Sequence, residues 1–127
     1  MGRVIESIVN RGDKAMNYTI KKENNCLVVA PTGEIDMSIT DALRRDVDRA
    51  MEQNKVFNII FDLDKVSFVD SSGLGVILGR YKKVTAAGGR VFLTGAGPQV
   101  RKVLELSGLL TLLEEHPSVE HVISKIS

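Results

Sequence analysis

The chain has 127 residues, a formal net charge of +1, and 43% hydrophobic and 26% charged residues. That length fits one domain, which buries about two-thirds of the surface its unfolded chain exposes. The near-neutral charge excludes the basic field of a nucleic-acid binder, no apolar run approaches the ~20 residues of a membrane helix, and a single cysteine, Cys26, excludes an internal disulfide.

At the N-terminus, Arg3 is followed by no apolar block with a small-residue cleavage site, and Glu6 stands where a myristoylation signal wants Ser or Thr. The expectation is a cytoplasmic protein with reduced thiols. Val4, Ile5, Ile8 and Val9 fall at helical spacing, but Asn10-Arg11-Gly12-Asp13 breaks the pattern. Residues 1–16 therefore read as an extension, either a frayed helix or a disordered tail, and residues 17–127 as the domain. Tyr18–Lys22 and Cys26–Ala30, joined by the turn cluster Glu23-Asn24-Asn25, read as a β-hairpin that Pro31-Thr32-Gly33 ends. Ser38 with Asp41 three residues on resembles a helix cap in which the acidic residue reaches back. Ile39, Leu43, Val47 and Ala50 then keep one apolar helix face.

Val56–Phe61 is β-branched and apolar and reads as a buried strand. A strand-like stretch, Val66–Val69, leads into Asp70-Ser71-Ser72-Gly73. Leu74, Ile77, Leu78, Tyr81 and Val84 then repeat at helical spacing until Gly88-Gly89. Arg90–Thr94 is a further strand. Pro98 opens a third helix closed by Gly108, Leu109–Leu113 reads as a last short strand, and Pro117 opens a final helix carrying Val119, Val122, Ile123 and Ile126. The order β-β-α-β-α-β-α-β-α predicts an α/β fold: a mixed, mostly parallel sheet with an N-terminal antiparallel hairpin, packed by about four helices.

Little in the chain resembles catalytic chemistry. Cys26 lies in an apolar run and reads as a small buried hydrophobe. His116 and His121 lie in a polar stretch and read as surface residues, and no cluster of His, Cys or carboxylates suggests a metal. Gly73-Leu74-Gly75 and Gly95-Ala96-Gly97-Pro98 fit neither a dinucleotide fingerprint nor a lysine-bearing phosphate loop. No G-x-S-x-G elbow surrounds Ser71. A phospho-receiver reading starts from Asp62 at a strand end, but the acidic pair it needs is replaced by Glu23-Asn24-Asn25 in a turn. No cofactor, metal or catalytic residue is expected.

Asp70-Ser71-Ser72-Gly73 places a hydroxyl at a helix N-terminus. One reading is structural: a serine caps the helix, worth about 1 kcal/mol. The other is phosphorylation, since free N–H groups and the macrodipole favour an anion there by roughly 0.3–1 kcal/mol. A phosphate adds about −1.5 to −2 charges. A like-charge contact at 4 Å costs on the order of 4 kcal/mol per unit pair at an effective dielectric of 20, whereas a tenfold loss of affinity takes only about 1.4 kcal/mol. Binding is thus the natural readout. Spacing alone does not choose between Ser71 and Ser72.

Gly33-Glu34-Ile35-Asp36, Phe61-Asp62-Leu63 and Val66-Ser67-Phe68-Val69-Asp70-Ser71-Ser72-Gly73-Leu74-Gly75 resemble the STAS domain of bacterial anti-sigma factor antagonists. The continuation Val76-Ile77-Leu78-Gly79-Arg80-Tyr81-Lys82 is most similar to the sporulation branch of that family, and Leu106-Ser107-Gly108-Leu109 also matches. The resemblance covers about residues 17 to 125 and implies a single STAS domain that is not an enzyme. It implies partner switching. The unphosphorylated antagonist binds an anti-sigma factor that is also a serine kinase, which frees the sigma factor. Phosphorylation releases the antagonist, and a serine phosphatase resets it. The resemblance selects Ser71 as the phosphorylated residue and places Asp36, Asp70, Ser72 and Gly73 near the partner surface. It implies no direct contact with nucleic acid or membrane and a monomer or weak dimer. A second reading is a scaffold subunit of a stressosome-like assembly. Those proteins carry an additional N-terminal domain, for which residues 1–16 are too few.

Overall fold

A computed structural model describes residues 5–10 and 17–126, the first segment and Asn17 by their backbone alone. The elements run β1 (Ile5–Asn10), β2 (Asn17–Glu23), β3 (Cys26–Ile35), α1 (Thr40–Asn54), β4 (Asn58–Asp62), β5 (Lys65–Val69), α2 (Ser71–Ala86), β6 (Val91–Thr94), α3 (Pro98–Leu106), β7 (Glu114–His116) and α4 (Val119–Ile126). β1, β2 and β3 pair antiparallel, and β4, β6 and β7 continue from β3 in parallel. The mixed sheet, the early hairpin and the four helices agree with the sequence pattern.

Strand alternation sorts the apolar side chains between two faces. Leu27, Val29, Ile59, Phe61, Val91 and Leu93 pack with Leu43 and Val47 of α1, Ile77 and Val84 of α2, and Val100 and Leu104 of α3. Cys26, Val28, Ile60 and Phe92 alternate with them and meet Val122 of α4. Burial on both faces explains why β3, β4 and β6 are almost continuously apolar.

Ten-residue β3 takes two parallel partners in succession along one edge. Cys26–Val29 pairs β4, and Thr32–Ile35 pairs β5 with a register shift between Gly33 and Glu34. The predicted order did not count β5, and β5 carries the chain to the carboxyl end of β3.

Three expectations are corrected. Within residues 1–16, Ile5–Asn10 is a strand paired with β2, neither helix nor tail; the Arg11-Gly12-Asp13 break lies outside the described residues. The ladder hydrogen bonds offered by β2 outweigh the helical spacing of a short segment. Leu109–Leu113 is not a strand: Leu109–Thr111 forms a 3-10 turn, and the last strand is Glu114–His116. Gly108 is left-handed (φ 84°) and its carbonyl accepts from Thr111 Oγ1 at 2.6 Å, which coils the chain. Ser38 does not cap α1, because its N–H and hydroxyl both donate to Asp36 Oδ1, at 2.9 and 2.6 Å.

Candidate functional site

The Asp70 N–H donates to the Ile35 carbonyl at 3.1 Å, fastening the end of β5 to the end of β3. Asp36 and Asp70 thus leave the sheet together, at the carboxyl end of parallel strands, where open α/β sheets place their sites. The Asp36 carbonyl accepts from Ile39 and Thr40 at 3.1 and 3.2 Å, so the Asp36–Ser38 turn feeds directly into α1.

Asp70 is the cap of α2. Its Oδ1 accepts from the Gly73 N–H at 3.0 Å and from the Ser72 hydroxyl at 2.6 Å, and its carbonyl accepts from the Leu74 N–H at 3.0 Å. The sequence reading gave the cap to a serine. Asp70 takes it because its backbone is still extended (φ −94°, ψ −174°), whereas Ser71 is already helical. The Ser72 hydroxyl is the main cause that holds the Asp70 carboxyl below its ordinary 3.8; burial opposes it, and the Gly73, Ser72 and Met37 N–H groups add to it.

Gly73 sets how close α2 can come. A Cβ there would lie 2.8 Å from the Ile35 carbonyl oxygen and 2.8 Å from Val69 Cγ1. The first turn of α2 therefore rests directly on the ends of β3 and β5.

The two serines part company. Ser72 is half-buried and its hydroxyl is committed to Asp70. Ser71 is exposed, and among the described residues nothing bonds its hydroxyl. It stands at the lip of a groove of about 290 Å³ lined by Leu74, Leu78, Ser107, Leu109 and Leu112. The sequence reading did not identify this groove. Its signal was the spacing of Leu109, Leu112 and Leu113: the buried pair lie four apart, as in a helical turn, and Leu112 turns outward at 43% exposure. Across Gly75 on the neighbouring face of α2, Ser72 lines a second cavity with Thr40, Arg44 and Arg80.

All five residues expected from the sequence thus meet at one end of the sheet. The histidines do not join them. His116 and His121, read as surface residues, are half-buried, with Nδ1 atoms 3.0 Å apart and the His116 ring 5.6 Å from Phe92. Packing of α4 across the sheet brings the rings together. Among the described residues no three metal-binding side chains converge, and no helix is long and apolar enough to cross a membrane.

A STAS-domain family model matches residues 17–122. The anti-sigma F factor antagonist of Paenibacillus polymyxa is 37% identical over 100 residues, covering 77% of this chain and 86% of that protein. The Bacillus cell fate determinant SpoIIAA in its phosphorylated form superposes with a TM-score of 0.71 at 30% identity, covering 87% of this chain and 99% of that one. The unphosphorylated form of SpoIIAA superposes with a TM-score of 0.71 at 27% identity, covering 86% and 96%. With the family model spanning most of its length, and the Asp70 cap, the paired strand ends and the mixed sheet in place, the chain belongs to the STAS-domain family.

Proposed function

We propose that this chain is an anti-sigma factor antagonist whose binding is switched by phosphorylation of Ser71. The carrying observation is the exposed, unbonded Ser71 hydroxyl in the first turn of α2, at the lip of an apolar groove. A kinase needs an accessible hydroxyl, and Ser71 offers one while Ser72 is committed to Asp70. The helix N-terminus accepts the added charge without disturbing the fold. A partner covering the groove would bury that charge beside Leu74, Leu78 and Leu112, and burying an unpaired charge is prohibitive. The names of the relatives support the reading: an anti-sigma F factor antagonist and a cell fate determinant solved both with and without phosphate.

In this reading the partner is an anti-sigma factor with serine kinase activity, and a phosphatase restores the hydroxyl. Asp36, Asp70, Ser72 and Gly73 frame the contact surface. Residues 17–127 form the module and residues 1–16 an extension. The protein acts in the cytoplasm as a monomer or weak dimer and binds rather than catalyses.

Phosphopeptide mapping after incubation with the kinase and ATP should find phosphate on Ser71. Ser71→Asp should weaken binding by about tenfold or more with a native circular dichroism spectrum, as one added charge requires. Ser71→Ala should bind without being modified. Wild-type affinity in Ser71→Asp, or phosphate on Ser72, would sink the proposal.

A further inference from the structure

His116 ends β7 and His121 lies in the first turn of α4. Five residues apart on a strand and a helix, they match no linear metal motif. Folding nevertheless brings their Nδ1 atoms to 3.0 Å and their ring centroids to 5.0 Å. Both rings are held in place. His116 lies 5.6 Å from the Phe92 ring with its side chain 18% exposed. The His121 backbone N–H donates to Ser118 Oγ at 3.1 Å, which fixes the start of α4.

Only one hydrogen fits between two nitrogens so close, so at least one Nδ1 is bare. A ring presents a bare Nδ1 when its hydrogen sits on Nε2. On His116 that atom is 3.9 Å from Glu114 Oε1. Glu114 stays a carboxylate, because Arg90, bonded to it at 2.6 and 2.8 Å, is the main cause that lowers its pKa. A carboxylate behind the outer nitrogen is the usual support of a metal-bound imidazole. The nearby arginines are already neutralised, Arg90 by Glu114 and Arg101 by Glu115 at 2.9 Å. On α4, Glu120 adds negative charge beside His121, and Lys125 is exposed one turn further along.

The separation of the two nitrogens selects the ion. First-row divalent metals hold imidazole nitrogen at about 2.0–2.1 Å, so two such ligands lie about 2.9 Å apart at a right angle and about 3.3 Å apart at the tetrahedral angle. The observed 3.0 Å fits neighbouring corners of a tetragonal site, the geometry of Cu²⁺ and Ni²⁺, and nitrogen ligands favour Cu²⁺ over both Ni²⁺ and Zn²⁺.

We propose that His116 and His121 form a two-imidazole site for a tetragonal divalent ion, with Cu²⁺ preferred. Water fills the remaining positions, which the exposed edge of His116 leaves open. The ion ties the edge strand β7 to the helix that covers the smaller core. The site is separate from the Ser71 groove and does not rest on the phosphorylation reading.

The test is a titration of the 15N-labelled full chain with Cu²⁺ buffered by glycine at neutral pH. One equivalent should broaden the amides around residues 114–123, leave those of Ser71 and Gly73 sharp, and raise the melting temperature. The electron paramagnetic resonance spectrum should be tetragonal with two coupled imidazole nitrogens. Zn²⁺ should bind at least about tenfold more weakly, after correction for glycine. His121→Gln and His116→Gln should each weaken Cu²⁺ by about tenfold with an otherwise native amide spectrum. Either variant suffices if the other fails to fold. Broadening centred elsewhere, a spectrum with one coupled nitrogen, Zn²⁺ binding as tight as Cu²⁺, or undiminished binding in a folded variant would overturn the proposal.

Discussion

The Asp70 carboxylate accepts from the Ser72 hydroxyl and the Gly73 N–H, and the folded state holds its pKa below 3.8. Linkage gives the sign: the charged form is favoured by folding, so its contribution is present above the unfolded value and is lost as pH falls through the lower folded one. Asp70→Asn should flatten the acid side of a stability-against-pH curve below about pH 4, measured by urea unfolding. Asp70→Ala should cost about 1 kcal/mol at neutral pH, the usual cost of a lost cap. At Gly73 the limit is steric. Gly73→Ala puts a methyl 2.8 Å from a carbonyl oxygen, and about 1–3 kcal/mol of destabilisation is expected in the same assay. At this scale the sequence announced the site but not its wiring. Asp70-Ser71-Ser72-Gly73 showed that a cap was present. Which side chain caps depends on where helical dihedrals begin, and a shift of one residue, below the resolution of pattern reading, exchanges serine for aspartate.

Elements read best where two signals agreed. α3 has Pro98 in its first turn and the left-handed Gly108 shortly beyond its end, and its bounds came close to expectation. β5 was undercounted because its burial is irregular: Val66 and Val69 are buried but lie three apart, and Phe68 is 46% exposed, so strict alternation fails. The Leu109–Leu113 run failed for the opposite reason. Leucines alone do not tell a strand from a turn, and Gly108 decides it. That turn presents Leu112 to the groove beside Ser71. Leu112→Ser should leave stability within about 0.5 kcal/mol, as for other exposed positions. In a pull-down it should weaken partner binding if the groove is covered. Leu104 on α3 is fully buried, and Leu104→Ala should cost about 2–5 kcal/mol.

Across the whole molecule, the fold class was legible because two periods coexist in the chain. Strand alternation of 27, 29, 59, 61, 91 and 93 against 26, 28, 60 and 92 assigns side chains to two faces, and helical spacing covers both. What the sequence could not show was the division of labour between those faces. α1, α2 and α3 build the large core and carry the Ser71 groove and the Arg80 cavity. α4 closes a smaller core alone on the other side.

Cys26 lies under α4 on that smaller side, fully buried, with its thiol pushed up to about 11 chiefly by burial. While α4 covers it only roughly one thiol in ten thousand is ionised at neutral pH, and lifting α4 removes the burial that suppresses the thiolate. The residue is therefore a clock for lifting of the C-terminal helix, read by the rate of thiol labelling. Labelling should be slow, and faster after Val122→Ala, which thins the lid over the sulfur. Run with and without a partner on the Ser71 side, the clock reports whether the two faces of one sheet breathe together. An unchanged rate means α4 opens on its own; a slowed rate means occupancy on one face is felt through the strands by the other.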